Sequence, residues 1–282
     1  MKTCGKTLAI ALAAAIMIVS FAHPVLAQGD SGPDTSGLSP YWRPVVSRWE
    51  TIIVRYAERR QIDPDLVASV IWKESRGLPA TRGPTGAVGL MCIKPFPWRP
   101  SAAELENPWT NVAWGTQTLA QIIRDGNGDV YYALAAYNGG WDKIHRRATR
   151  RYAADVLGNY VRAVAVEHGL PADGNWTAIL SVEGLSDHRT VTVLGPHRPV
   201  ARYTERPVEA AIPSVPEGFS PNATPIRFTG NRGQEARVSL WLITEDRSVS
   251  RSSAALPASQ VTPADGTSSN VLLDGRVGGL PD

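Results

Sequence analysis

The sequence predicts a mainly α-helical domain followed by a small β-rich C-terminal extension. Three observations lead there. Between residues 42 and 169, apolar side chains recur at three- and four-residue spacing, the period of helices buried on one face. The helical runs are separated by capping and stop residues where helices should begin and end. Around Gly169-Leu170-Pro171 that period stops, and short strand-like runs bounded by turn residues replace it.

The chain has 282 residues, 43% of them hydrophobic, enough for one or two domains with a packed core. A net charge of +3 is too mild for a dedicated nucleic-acid binder. Residues 1–27 read as a secretory signal peptide. Lys2 and Lys6 form the basic start, residues 8–21 the apolar run, and Val25-Leu26-Ala27 a cleavage site after Ala27. An uncleaved membrane anchor is the competing reading, but the apolar run is short for a span of about 20 residues. Cys4 precedes that run and is not placed as a lipid-acceptor cysteine. Once residues 1–27 are removed, Cys92 alone remains of the two cysteines, so no internal disulfide is expected. Localisation outside the cytoplasm, secreted or in the cell envelope, follows from the signal.

Residues 28–40 are rich in Gly, Ser, Pro and Asp and read as a flexible leader. Residues 42–60 form an amphipathic helix with Val45, Val46, Trp49, Ile52, Ile53, Tyr56 and Ala57 inward. In the next helix Asp63 is the N-cap, Pro64 the first helical residue and Gly77 the turn residue beyond the end. Gly89 to Lys94 reads as a short helical turn stopped by prolines. Ser101-Ala102-Ala103-Glu104 is a capping box. Asn107-Pro108 opens a longer helix reaching Arg124, and Asp129 caps another that runs to Tyr137. Residues 141–169 read as helical in two pieces. Residues 176–182, 189–194 and 237–244 read as strands of an extension spanning 171–246, and 247–282 as a disordered tail.

Glu74 is the candidate functional residue. It comes four positions after Val70 and seven after Val67, which places it on the apolar face of its helix. Desolvation raises the pKa of a carboxyl there, which suits a general acid. The bland alternative is a helix-end Glu leaning into water or pairing with Arg76.

Four motifs in order make the assignment specific. Glu74-Ser75 is succeeded by Gly86-Ala87-Val88-Gly89-Leu90-Met91-Cys92, then Ala135-Ala136-Tyr137-Asn138-Gly139-Gly140, then Tyr160-Val161. In order and spacing these resemble the motifs of the soluble lytic transglycosylases, the SLT-domain family related to goose-type lysozyme. The resemblance covers roughly residues 42–170. It implies a lysozyme-like helical domain over 41–170 that cleaves the MurNAc–GlcNAc β-1,4 bond of peptidoglycan. Glu74 would serve as the single acid and base and leave a 1,6-anhydro-muramoyl end. It further implies that Met91, Asn138 and Tyr160 line the cleft and that Ser75 sits beside the acid. Tyr137 is either a sugar contact or a core aromatic. Three positions depart from the family pattern: Cys92 stands where Gln is usual, Gly77 where an aromatic is usual, and Gly83 where Ser is usual. A thiol is a weak hydrogen-bonding group, so the Cys92 subsite is expected to bind sugar differently.

Other readings remain open at this level. The enzyme could admit water and act as a goose-type lysozyme, or the chain could bind glycan without cleaving it. Cys92 with His145 or His168 could form a cysteine peptidase, but neither His has a supporting motif. The basic run 143–151 is either a solvated helix face or a site for anionic polymers. No metal-ligand spacing appears, and the expectation is a monomer acting on glycan strands without cofactor, nucleic acid or membrane insertion.

Overall fold

The computed structural model describes residues 37–174, 176–185, 189–193 and 220–244. The signal segment and the tail beyond 246 lie outside the described residues. Among the described residues, seven α-helices precede a four-stranded sheet. They are α1 (Pro44–Ser47), α2 (Glu50–Arg60), α3 (Pro64–Ser75), α4 (Ala102–Leu105), α5 (Pro108–Asp125), α6 (Val130–Gly139) and α7 (Arg147–Glu167), with a 3₁₀ turn at Trp141–Lys143 before α7.

The single helix expected over 42–60 is two. Trp49 leaves helical geometry (φ −97°, ψ 6°), and its indole Nε1 donates to the Gly77 carbonyl at 3.0 Å, beside Arg48 Nη2 on the same oxygen. The apolar spacing runs unbroken across this bend, so periodicity alone could not reveal it. Gly77 is required here: its φ is +80°, and a Cβ would lie 2.1 Å from the Val45 carbonyl oxygen. The backbone of α1 therefore occupies the place where an aromatic side chain was expected.

Helix α3 follows its sequence signals. Asp63 accepts from the Asp65 amide, Pro64 is its first residue, and Arg76 (φ 56°) ends it in left-handed geometry one residue before Gly77. The capping box of α4 is present with both of its hydrogen bonds. The helical turn expected at Gly89–Lys94 is instead a tight hairpin. Val88 and Ile93 exchange backbone hydrogen bonds of 2.9 Å, and positive φ at Gly89 (85°) and Cys92 (47°) excludes a helix.

The end of the expected leader is held in place. Ser39 is buried, its amide donates to Asp65 Oδ1 at 3.1 Å and its hydroxyl to the Ala163 carbonyl at 2.6 Å. Trp42 Nε1 reaches the same Asp65 oxygen at 2.8 Å.

The strands are β1 (Trp176–Glu183), β2 (Arg189–Val193), β3 (Ile226–Thr229) and β4 (Glu235–Thr244), in the order β2-β1-β4-β3. Strand β3, four residues long, was not expected. Its pairs with β4 are antiparallel, as are those of β2 with β1. The sheet shares one apolar core with the helices: Trp176, Leu180, Phe228 and Leu240 are continuous with Leu66, Leu134 and Leu157. At Gly128, a Cβ would meet the Phe228 ring at 2.8 Å, and the Arg227 amide donates to the Gln61 carbonyl at 2.9 Å. No helix among the described residues is long and apolar enough to cross a membrane.

Candidate active site

Helices α3 and α7 pack antiparallel, and this sets which residues meet. At one end Tyr160 donates to Asp63 Oδ2 at 3.0 Å. At the other, Tyr152 donates to Glu74 Oε1 at 2.6 Å. Tyr152 is the residue that motif matching missed, and the expected placement of Tyr160 in the cleft is corrected. Tyr160 is 1% exposed and its hydroxyl is bound to Asp63. Eight residues separate the two tyrosines, roughly 12 Å along a helix. The available signal was topological. Helix α6 ends at Gly139 and α7 starts at Arg147, so the first turns of α7 pass the end of α6 where Tyr137 and Asn138 lie.

Glu74 is half-buried in the last turn of α3. Burial pushes its carboxyl above the usual range, against the opposing hydrogen bond from Tyr152, the adjacent Cys92 thiol and the charge of Lys73. The Lys73 ammonium is itself held by Asp155 at 2.5 Å. Burial and the Glu74 charge keep the Tyr152 phenol protonated, raising it well above its ordinary value, so it remains a donor.

The hairpin carrying Met91 and Cys92 is fixed from α5. Asn111, fully buried, accepts from the Met91 amide at 2.8 Å and donates to the Val88 and Leu105 carbonyls at 2.7 and 2.8 Å. One side chain thus binds three backbone groups, of which the Val88 carbonyl also accepts from the Ile93 amide. Gly115 leaves room for the Met91 thioether, since a Cβ there would lie 2.3 Å from its sulfur. The Met91 carbonyl accepts from Tyr137 Oη at 2.8 Å. Cys92 Sγ lies 3.7 Å from the Glu74 carbonyl oxygen. Burial and the Glu74 charge push its thiol up to about 12.

The structure therefore brings Glu74, Cys92, Tyr137 and Tyr152 together, with the Met91 backbone behind them. Ser75 adjoins Glu74, but its hydroxyl donates to the Ile71 carbonyl and accepts from the Gly77 amide, closing the helix end. Asn138 is near the end of α6 and not buried. Met91 presents no side-chain surface, being fully buried. Neither Tyr152 nor Asn111 was singled out from sequence. Asn111 had a faint signal, a polar residue on the inward face of an otherwise apolar helix.

Burial favours the protonated form of Glu74, the Tyr152 phenol orients it, and the carboxylate left after proton transfer can take a proton back.

Residues 51–156 match the family described as Transglycosylase SLT domain, a span that contains Glu74, Met91, Cys92, Tyr137, Asn138 and Tyr152 but not Tyr160. The transglycosylase of Enterobacteria phage PRD1 is 36% identical over 113 residues, 39% of this chain and 42% of that protein. The membrane-bound lytic murein transglycosylase E of Buchnera aphidicola is 32% identical over 143 residues, covering 44% of this chain and 65% of that one. The 70 kDa soluble lytic transglycosylase of Escherichia coli overlaps 43% of this chain and 25% of its own, at 24% identity and a TM-score of 0.38, too limited a likeness to argue from. The chain spans less than two thirds of the length of each of these relatives. The part of the chain that is similar to the transglycosylase SLT domain family, residues 51–156, thus has the Glu74 site inside it.

Proposed function

We propose that this protein is a lytic transglycosylase of the cell envelope that cleaves the MurNAc–GlcNAc β-1,4 bond of peptidoglycan, with Glu74 as its single acid and base. The observation that carries this reading is the Glu74 carboxyl, raised by burial and held by Tyr152 at 2.6 Å. Glu74 in its neutral form gives its proton to the glycosidic oxygen. The bond from that oxygen to C1 of the muramoyl ring breaks, and the GlcNAc hydroxyl leaves. The Glu74 carboxylate then takes the proton of the muramoyl C6 hydroxyl as that oxygen closes on C1. The acid is regenerated, and no water is consumed. Most glycosidases flank the bond with two carboxylates. Here the Glu74 carboxyl is hydrogen-bonded by a phenol, Tyr152, and Asp155 is paired with Lys73. Export through the segment 1–27 brings the protein to its substrate.

Clearance of purified sacculi by the wild-type protein and by Glu74→Gln tests the reading. The variant is expected to fold and to lose about 10²-fold or more of the rate, the contribution of acid–base catalysis. Near-normal clearance by Glu74→Gln would remove Glu74 from the mechanism. Sacculus binding without clearance by a folded wild-type protein would leave a glycan-binding protein.

A further inference from the structure

The loop that leaves the hairpin is built unlike a linker. Residues 95–100 read Pro-Phe-Pro-Trp-Arg-Pro, and the Arg99 amide donates to the Phe96 carbonyl at 2.9 Å, closing a turn with Pro97 and Trp98 at its centre. The rings of Phe96 and Trp98 stack with centroids 5.2 Å apart and planes 6° from parallel. Trp98 is nonetheless 73% exposed, the most open large apolar side chain among the described residues. Lys94 Nζ and the Arg99 guanidinium lie 5.6 and 5.3 Å from the Phe96 ring centre. Among the described residues neither cation forms a salt bridge. The Arg99 charge also acts on the Tyr137 phenol, which binds the Met91 carbonyl beside Cys92. The platform directly follows the hairpin that carries Cys92 past Glu74.

Beyond its stack on Phe96, most of the indole stays in water at a hydration cost, and three prolines stiffen the turn that presents it. A flat apolar face suits the apolar face of a pyranose ring. Two cations beside it, neither in a salt bridge among the described residues, suit a carboxylate carried by that sugar. Glycan strands of peptidoglycan combine both, through the lactyl group and the peptide stem of the muramoyl unit. We propose that Trp98, stacked on Phe96, is a sugar-binding subsite of the cleft, and that Lys94 and Arg99 engage the carboxylates of the same strand. This rests on peptidoglycan being the substrate, but not on its being cleaved.

Binding of the full chain to insoluble sacculi, measured in the Glu74→Gln background, tests the subsite apart from catalysis. Trp98→Ala is expected to weaken retention roughly three- to tenfold at low and high salt alike, and Trp98→Phe to restore part of it. Lys94→Gln with Arg99→Gln is expected to weaken retention at low salt and to converge with the parent at high salt, where charges are screened. All these side chains are on the surface, and an unchanged Tm shows that each variant folds. Retention within twofold of the parent for Trp98→Ala, or no binding by the parent, overturns the platform. No loss at low salt for the charge pair overturns the carboxylate contacts. Sacculus clearance by the protein with Glu74 intact reads the cleavage claim separately.

Discussion

The phenol of Tyr152 donates a 2.6 Å hydrogen bond to Glu74 Oε1, joining the second turn of α7 to the last turn of α3. The bond does two things at once. It fixes the direction of the carboxyl, and it favours the ionised form, partly offsetting the desolvation that favours the neutral one. Tyr152 is therefore a positioning residue whose loss has a signature in pH as well as in rate.

Removing that donor with Tyr152→Phe raises the Glu74 pKa further, because the ionised form loses its partner while burial persists. A general acid must be protonated to act, so the alkaline fall of kcat/KM moves to higher pH. A hydrogen bond to a charged group is worth about 1.5–3 kcal/mol, and a loss of roughly tenfold or more in kcat is expected. A pH–rate profile on soluble glycan fragments checks both. A uniform loss without movement of the alkaline limb would leave Tyr152 a packing residue only.

Seating of the Met91 hairpin is tested from α5. Asn111→Ala leaves the Met91 amide and the Leu105 carbonyl without the Asn111 side chain, at about 1–3 kcal/mol for each buried group, while the Val88 carbonyl keeps the Ile93 amide. A clear fall in Tm is expected. Gly115→Ala places a methyl where the Met91 sulfur now sits, 2.3 Å from the Cβ position. Activity should fall more than stability, because the hairpin carries Cys92 past Glu74. Thermal melts and clearance rates on the two variants check this.

Cys92 is expected to be inert. With its thiol pushed up to about 12, almost none is thiolate at neutral pH, and alkylation requires thiolate. Iodoacetamide at about pH 8 should label the folded protein on the order of 10²–10³-fold more slowly than the unfolded chain, as read by intact mass. Rapid labelling in the fold would reopen the cysteine peptidase reading. Cys92→Gln, which supplies the residue usual in the family, is expected to retain activity.

The second polar cluster governs stability. Burial raises both Asp63 and Asp65, and the charge of Asp65 pushes Asp63 further, while burial takes Glu167 to about 7. Their folded values lie above the unfolded ones, near 4, so the folded chain holds protons that the unfolded chain releases. The associated stabilisation is complete below about pH 4 and is lost as pH rises through the folded values. Tm should therefore fall from about pH 5.5 to about pH 8.5, and Asp63→Asn, still a good N-cap, should flatten that fall. A Tm that rises over this range contradicts the assignment.

Helix signals of the α3 kind were legible because the residues that dictate them are local: Asp63, Pro64 and Gly77 act on their own turns. Glu74, the proposed acid, was legible because an apolar-face carboxyl is unusual and spaced motifs come after it. Less local features escaped. The bend at Trp49 depends on a carbonyl 28 residues away, and the hairpin at Met91 on Asn111. The Tyr160-Val161 pair in the sequence pointed to Tyr160, whereas the partner of Glu74 is chosen by the antiparallel packing of α3 and α7, which no local pattern encodes. Strand β3 was hidden by its length, four residues among prolines and turns.

Whether Glu74 alone serves as acid and base is tested most directly by the mass of the glycan ends released from purified sacculi. Muramoyl ends lighter by one water than the hydrolysis product and resistant to borohydride reduction are expected, formed by the wild-type protein and absent with Glu74→Gln. Reducible muramoyl ends, or anhydro ends still formed at the wild-type rate without Glu74, would contradict that role.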